Sequence, residues 1–335
     1  MYFIEEDVIK SSIILSSDSI DSESSSFNIA YGIDKNFLFG CAISITSILI
    51  NNPDKKFTFH IFTDFFEKDD ELKFLELAQK YNTKVVIYII DCEKLKSLPS
   101  TKNWTYATYF RFIIADYFNG RADIVLYLDA DIMCKGDLRE IINLQLGDNI
   151  AGVVPERGHE WWEKRAESLG VSSLVDGYFN AGFLLINIKK WAEFDISSQA
   201  MEMLTDKELM KRISFLDQDV LNIILTKKVL YLNVKYNTQF SINYELKKDC
   251  TNPITAETTL VHYIGPTKPW HEWAIYPSAK CFLDAKSLSP WDDYCLLKAH
   301  TASQYRYSAK HFNRQGKYLK GLTAYIYYIY KKLSK

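Results

Sequence analysis

Short apolar runs of strand length recur along the chain, at Phe27 to Tyr31, Phe57 to Phe62, Val85 to Ile90, Ile124 to Leu128 and Leu184 to Ile188. Between the early ones lie Leu38 to Asn51, Asp69 to Tyr81 and Thr105 to Phe118, where apolar residues return every three or four positions, the helical period. Strand alternating with helix predicts an α/β fold around a mostly parallel sheet covered on both faces. Such a sheet binds ligands in the crevice beyond the carboxyl ends of its strands, so polar residues there are the candidates for chemistry. After about residue 140 the pattern is less regular, and no internal repeat or convincing linker shows until roughly residue 300. Residues 11 to 26 carry Ser at nine of sixteen positions, which predicts a loosely packed lead-in. The fold proper is therefore expected to start at Phe27, after an N-terminal extension over 1–26.

A chain of 335 residues, 47% hydrophobic and 24% charged, can bury a sizeable core, and one domain with an appendage is expected. The net charge of -2 gives no reason to expect a nucleic-acid partner, which needs a strongly basic domain or face. Six cysteines stand singly, with no CxxC pair and no Cys/His cluster of zinc spacing, which fits a reducing cytoplasm. The N-terminal residues lack the positive region and apolar stretch of a secretory signal, and the apolar run from Leu38 to Ile50 is too short to span a membrane.

The strongest local signal is the apolar run Ile124 to Leu128, which ends in Asp129-Ala130-Asp131. In extended backbone, residues two apart share a side, so both carboxylates can face one cation, with Ala130 leaving room for a ligand. Hard oxygen ligands suit Mg²⁺ or Mn²⁺ holding a diphosphate; the alternative is an acidic strand end capping a turn. Far along the chain, Val261-His262-Tyr263-Ile264-Gly265 is followed by Lys268, Pro269 and Trp270. An imidazole at a strand end can complete a metal sphere, a glycine lets backbone approach phosphate, and the lysine supplies a cation; a purely structural His is the alternative. In Asp217-Gln218-Asp219 an acid-amide-acid triplet opens an apolar helical run. Helix capping explains either acid but not Gln218. Small residues surround Asn180 in Phe179-Asn180-Ala181-Gly182, which alone predicts a turn.

Taken together and in this order, these motifs resemble the retaining glycosyltransferases of family 8, over about Phe27 to Trp270. Within that family the chain is most similar to the group making α-1,3 hexosyl linkages in the lipopolysaccharide outer core of enteric bacteria. That likeness rests on Ala30 to Phe37, Thr101 to Trp104 and Tyr236 to Phe240. The resemblance implies a GT-A nucleotide-sugar-binding fold, with Mn²⁺ or Mg²⁺ bridging the diphosphate of UDP-galactose or UDP-glucose. It implies Asp129, Asp131 and His262 as metal ligands, with Ala130 beside them and Gly265 and Lys268 on the diphosphate. Ala30, Asp34 and Asn36 are then expected by the uridine, Arg111 on donor sugar or phosphate, and Asn180, Asp217 and Gln218 around the transferred hexose.

Retention by a covalent route usually needs two carboxylates about 5 Å apart, one of them a nucleophile. No dedicated pair is evident once Asp129 and Asp131 hold metal, which favours a front-face displacement oriented by Asn180 and Gln218. The expected activity is transfer of a hexose, galactose ahead of glucose, to a glucose of the lipopolysaccharide core. A glucosyltransferase of the same pathway, and a sugar-nucleotide-binding protein without turnover, are the alternatives. Residues 301 to 335 hold eight Lys or Arg and no acid, interleaved with aromatics and ending in Tyr325 to Tyr330. This predicts a tail on the anionic inner face of the membrane, after a catalytic domain over 27–300, or else a solvated helix whose aromatics pack on that domain.

Overall fold

The computed structural model describes residues 1–17, 26–100, 105–249 and 251–334. Thr101 to Trp104, which contributed to the resemblance, lie outside the described residues. In chain order the strands are β1 (Ile9–Ser16), β2 (Phe27–Ile33), β3 (Phe57–Thr63), β4 (Lys84–Ile90), β5 (Ile124–Leu128) and β6 (Ile132–Cys134). They continue with β7 (Ala151–Pro155), β8 (Phe179–Asn187), β9 (Val229–Tyr231), β10 (Thr238–Gln239) and β11 (Leu260–His262). Eight form one sheet in the order β1-β4-β3-β2-β5-β8-β7-β9, and β10-β11-β6 form a small second sheet. In the large sheet only β1 and β8 run against the rest, so it is mostly parallel.

The pleat divides the apolar residues between two faces. Along β2, Ile29, Tyr31 and Ile33 join one core cluster and Ala30 the other; along β5, Leu126 and Leu128 oppose Val125 and Tyr127. Helix Leu38–Asn51 covers the first face, and helices Phe110–Tyr117, Ile196–Thr205 and Leu216–Leu225 cover the second. Burial of both faces explains why the central strands read as continuous apolar runs.

Two sequence expectations change. Residues 11–16 belong to β1, an edge strand paired antiparallel with β4, with Leu15 in the main core; Phe3 and Val8 are buried too. The Ser-rich stretch read as a lead-in is thus fold at least to Ser16, while residues 18–25 lie outside the described residues. The basic C-terminal segment is not a detached tail either. Helix Ala302–Arg314 packs on the body: Phe312 and Ala309 cluster with Trp273, and His311 bonds Tyr276 and Asn243. Helix Tyr318–Leu333 lies along that helix, with Ala324 in the same cluster and Tyr327 stacked on Tyr305 at 5.3 Å between centroids, and leaves its other side exposed.

Candidate active site

Register explains why residues so far apart in sequence meet. β8 runs against β5 with Leu128 opposite Phe183, so the carboxyl end of β5 and the amino end of β8 open on the same crevice. Asp129 follows β5 directly, its N–H donating to the Gly182 carbonyl at 2.8 Å. In the small sheet His262 pairs with Ile132, and the Tyr263 N–H donates to the Asp131 carbonyl at 3.0 Å, which brings His262 beside Asp131. Asn180, expected in a turn, lies inside β8: a polar residue and a glycine where the strand meets the crevice interrupt the apolar run that marks its remainder.

Asp129, Asp131 and His262 each offer a ligand atom, all within 4.8 Å of one another. His262 Nε2 lies 3.2 Å from Asp131 Oδ1 and 3.9 Å from Asp129 Oδ2. Asp131 Oδ1 is buried without a hydrogen-bond partner, a state that normally costs about 1–3 kcal/mol. A cation between these groups would satisfy it. The space is also reserved: a Cβ on Gly182 would lie 2.5 Å from His262 Cε1 and 2.7 Å from Asp129 Oδ2. The donor set and the cradle fit a divalent ion. Lys268 Nζ donates to Asp131 Oδ2 and, at 2.9 Å, to the Tyr263 carbonyl. Burial alone would raise the Asp131 pKa, but the Lys268 ammonium outweighs it and holds the carboxyl well below the usual range.

Arg111 packs against the acids of the site. Its side chain is enclosed, donating to the Thr108 carbonyl at 3.0 Å, Tyr127 Oη at 3.2 Å and Asp129 Oδ1 at 3.3 Å, and pairing with Asp217 Oδ2 at 3.1 Å. Burial works against its charge, yet Asp217, Tyr127 and Asp129 raise its pKa above the usual guanidinium value. Its guanidinium thus links Asp129 and Asp217. Burial is also the main cause of the raised pKa of Asp217, opposed by Arg111 and by the Thr108 hydroxyl, which donates to Oδ1 at 2.6 Å.

The three members of Asp217-Gln218-Asp219 do different work. Asp219 is fully buried, paired with Arg165, and accepts from Tyr178 Oη at 2.6 Å and from the Ser214 and Phe215 N–H groups. It fixes the chain entering the helix, where Leu216 is held at a φ of +41°, a left-handed conformation costing about 1–3 kcal/mol. That turn aims Gln218 at β8: Oε1 accepts from Ala181 N and Asn180 Nδ2, each at 3.1 Å. Gln218 Nε2 donates to Glu156 Oε2 at 2.8 Å, and Asn180 Nδ2 reaches the same oxygen at 3.2 Å.

Of the positions expected by the nucleotide, Asp34 ends β2 and accepts from Asn36 N at 2.8 Å and Thr105 Oγ1 at 3.1 Å. Asn36 is exposed, whereas Ala30 is enclosed in a core cluster, because the pleat turns it inward. Ala130 is buried between the two acids. Gly265 has a φ of +85°, which an L side chain rarely adopts, and a Cβ there would sit 3.0 Å from Ser241 Oγ. Glu156 and Asn237 were not among the sequence candidates. Glu156 follows β7 with no partner in its own motif, and Asn237 sits in a segment that drew notice only through the resemblance.

Residues 28–274 match the model described as Glycosyl transferase family 8, and residues 276–332 match Glycosyl transferase family 8 C-terminal. A lipopolysaccharide 1,3-galactosyltransferase of Salmonella typhimurium is 56% identical over 332 residues, 99% of this chain and 98% of the relative. The lipopolysaccharide glucosyltransferase WaaO of Escherichia coli K12 is 50% identical over 333 residues, with the same coverage. Among solved structures, the galactosyltransferase LgtC in complex with donor and acceptor sugar analogs superposes with a TM-score of 0.65 at 25% identity, covering 78% of this chain and 96% of that one. With a GT-A-like sheet, an acid-acid-histidine cradle at its strand ends and family matches over nearly its whole length, the chain belongs to glycosyl transferase family 8.

Proposed function

We propose that the protein transfers a hexose from a UDP-sugar to a hexose of the lipopolysaccharide core, with retention and in α-1,3 linkage, galactose being favoured over glucose. The carrying observation is the cradle of Asp129, Asp131 and His262 set directly beside the amide pair Asn180 and Gln218, in the crevice where β5 and β8 meet. The likeness to relatives of both donor types at 56% and 50% identity supports the pathway, and its order supports galactose.

Asp129, Asp131 and His262 would hold a divalent ion, Mn²⁺ or Mg²⁺, which would offset charge on the departing diphosphate. Lys268, already at Asp131, adds a cation on that side, and Gly265 lets the backbone close on phosphate. Asn180 and Gln218 orient the hexose. Each buried carboxylate is otherwise engaged: Asp217 by Arg111 and Thr108, Glu156 by the two amides. Among the described residues neither stands as a dedicated nucleophile, so the acceptor hydroxyl attacks from the face the diphosphate leaves, through an oxocarbenium-like transition state, and its proton passes to the departing diphosphate oxygen. Asp34 and Asn36 flank the nucleotide end.

The C-terminal helix Tyr318–Leu333 holds the enzyme on an anionic membrane surface at the cytoplasmic face. Leu319, Leu322, Ile326, Tyr330 and Leu333 are exposed at helical spacing, on the side opposite the buried Gly321 and Ala324. Lys317, Lys320, Lys331 and Lys332 flank that stripe. No helix of the described residues is long and apolar enough to cross a membrane.

The direct test is transfer of radiolabelled hexose from UDP-galactose and UDP-glucose to truncated lipopolysaccharide acceptors, with linkage analysis of the product. Transfer should be faster from UDP-galactose, stop with EDTA and return with Mn²⁺ or Mg²⁺. UDP-sugar binding without turnover would favour the binding-protein reading, and full activity after exhaustive chelation would remove the metal from the mechanism.

A further inference from the structure

The amide groups behind the cradle form a single directed chain of hydrogen bonds. Glu156 Oε2 accepts from Asn180 Nδ2 at 3.2 Å; Asn180 Oδ1 accepts from Gly182 N at 3.1 Å and from Asn237 Nδ2 at 3.0 Å; Asn237 Oδ1 lies 2.9 Å from His262 Nδ1. All four side chains are buried. The polarity of such a chain is set by members that cannot reverse. A carboxylate only accepts, and a backbone N–H only donates. Glu156 therefore requires the NH₂ end of Asn180 to face it, and Gly182 N requires the oxygen end on the other side. Asn237 must then turn its NH₂ toward Asn180 and its oxygen toward His262, which compels His262 Nδ1 to carry the proton. The lone pair is left on Nε2, the atom that faces Asp129 and Asp131.

We propose that Glu156 and Asn237 are positioning residues that, through Asn180, fix the His262 tautomer able to bind a divalent cation. Because Asn180 and Gln218 belong to the same chain, the sugar-facing amides and the metal-facing imidazole take one orientation together. The inference rests on the transferase reading above and deepens it. Outer-shell partners of metal-binding histidines typically change metal affinity by about 10–100-fold when lost.

The test is Mn²⁺ titration of the purified full-length chain with UDP present, following free Mn²⁺ by electron paramagnetic resonance, a readout independent of turnover. Asn237→Leu, which removes the acceptor, should weaken Mn²⁺ binding about 10–100-fold. Glu156→Gln, close in shape but able to donate, removes the carboxylate end of the chain and leaves Gly182 N as the only remaining group that cannot reverse at Asn180, and should weaken it by about tenfold. Asn237→Asp keeps the acceptor for His262 and should bind Mn²⁺ at least as tightly as the unaltered protein, while hexose transfer slows because its bond to Asn180 is gone. The two near-isosteric variants have opposite expected outcomes, so the comparison stands even where Asn237→Leu folds poorly. Affinity unchanged in Glu156→Gln, or lost in Asn237→Asp, overturns the relay while leaving the transferase reading intact. Mn²⁺ binding that Asp131→Ala leaves unchanged overturns the metal site itself.

Discussion

Gly182 has no side chain, yet the cradle depends on it. A methyl group there would meet His262 Cε1 at 2.5 Å, Asp129 Oδ2 at 2.7 Å and Asn180 Oδ1 at 3.0 Å, so three functional groups converge on the space it leaves. Gly182→Ala should cost roughly 1–3 kcal/mol of stability, the usual range for overpacking, because the neighbours must give way. Its effect on Mn²⁺ affinity should be larger, about tenfold or more, since the displaced groups are the proposed ligands. Parallel melting and Mn²⁺ titrations check this, and a variant that melts lower but binds Mn²⁺ as before would make the glycine purely structural. At this scale the sequence exposed the residues whose chemistry is carried by a local pattern: Asp129 and Asp131 two apart at a strand end, and Gln218 where a cap would not need an amide. It did not expose Glu156 or Asn237, whose meaning lies in partners 24 and 25 positions away, Asn180 and His262, joined only through strand register. Nor could spacing reveal that the guanidinium of Arg111 is enclosed behind Asp129 and Asp217.

Strands and helices were legible where both faces are buried. The runs at Phe57 and Val85 became β3 and β4, and the helical period over Leu38 to Asn51 matches the helix found there. β1 escaped notice because an edge strand buries few residues: Ser11 and Ser12 are exposed, and only Leu15 along it is fully buried. Its composition therefore reports solvent contact on one side, not lack of structure. The two accounts of this segment differ measurably. Leu15 sits in the main core cluster, so Leu15→Ala should destabilise by about 2–5 kcal/mol, the range for a buried Leu truncation, whereas a loosely packed lead-in would show almost none. Urea unfolding with an unchanged m-value is the measurement. A change under about 0.5 kcal/mol, typical of a surface site, would return the segment to an appendage.

For the whole molecule, the proposed attachment of a chain with net charge -2 to an anionic membrane rests on segregation of charge. Residues 301 to 335 contain eight cations and no acid, so the remainder of the chain is correspondingly acidic and the attraction is confined to one end. That asymmetry was visible in the sequence; the division of labour within it was not. Arg314 donates from Nε to the Glu245 carbonyl, and Gln315 to that of Trp273, so the helix Ala302–Arg314 is part of the body and its removal would damage the fold. A deletion beginning at Tyr318 keeps these bonds and removes the exposed stripe, losing only the packing of Ala324 and Tyr327 on the preceding helix, and a melting curve of the truncated chain checks that the body stays folded. Each cation near an anionic surface contributes roughly 1 kcal/mol, so Lys317, Lys320, Lys331 and Lys332 acting with the apolar stripe suffice together while any one is dispensable. Loss of residues 318–335 should release the protein from anionic vesicles and slow transfer to membrane-embedded acceptor, yet spare metal-dependent hydrolysis of the UDP-sugar, because every site residue lies before residue 270. Raising salt from 0.1 to 1 M, which shortens the screening length from about 10 Å to about 3 Å, should weaken binding of the full chain and change little for the truncated one. Sedimentation with vesicles of anionic and of neutral lipid at both salt concentrations separates the contributions. Equal binding by the full and truncated chains would place attachment elsewhere, and full-chain binding indifferent to both salt and lipid charge would leave the apolar stripe, not the lysines, as what holds it.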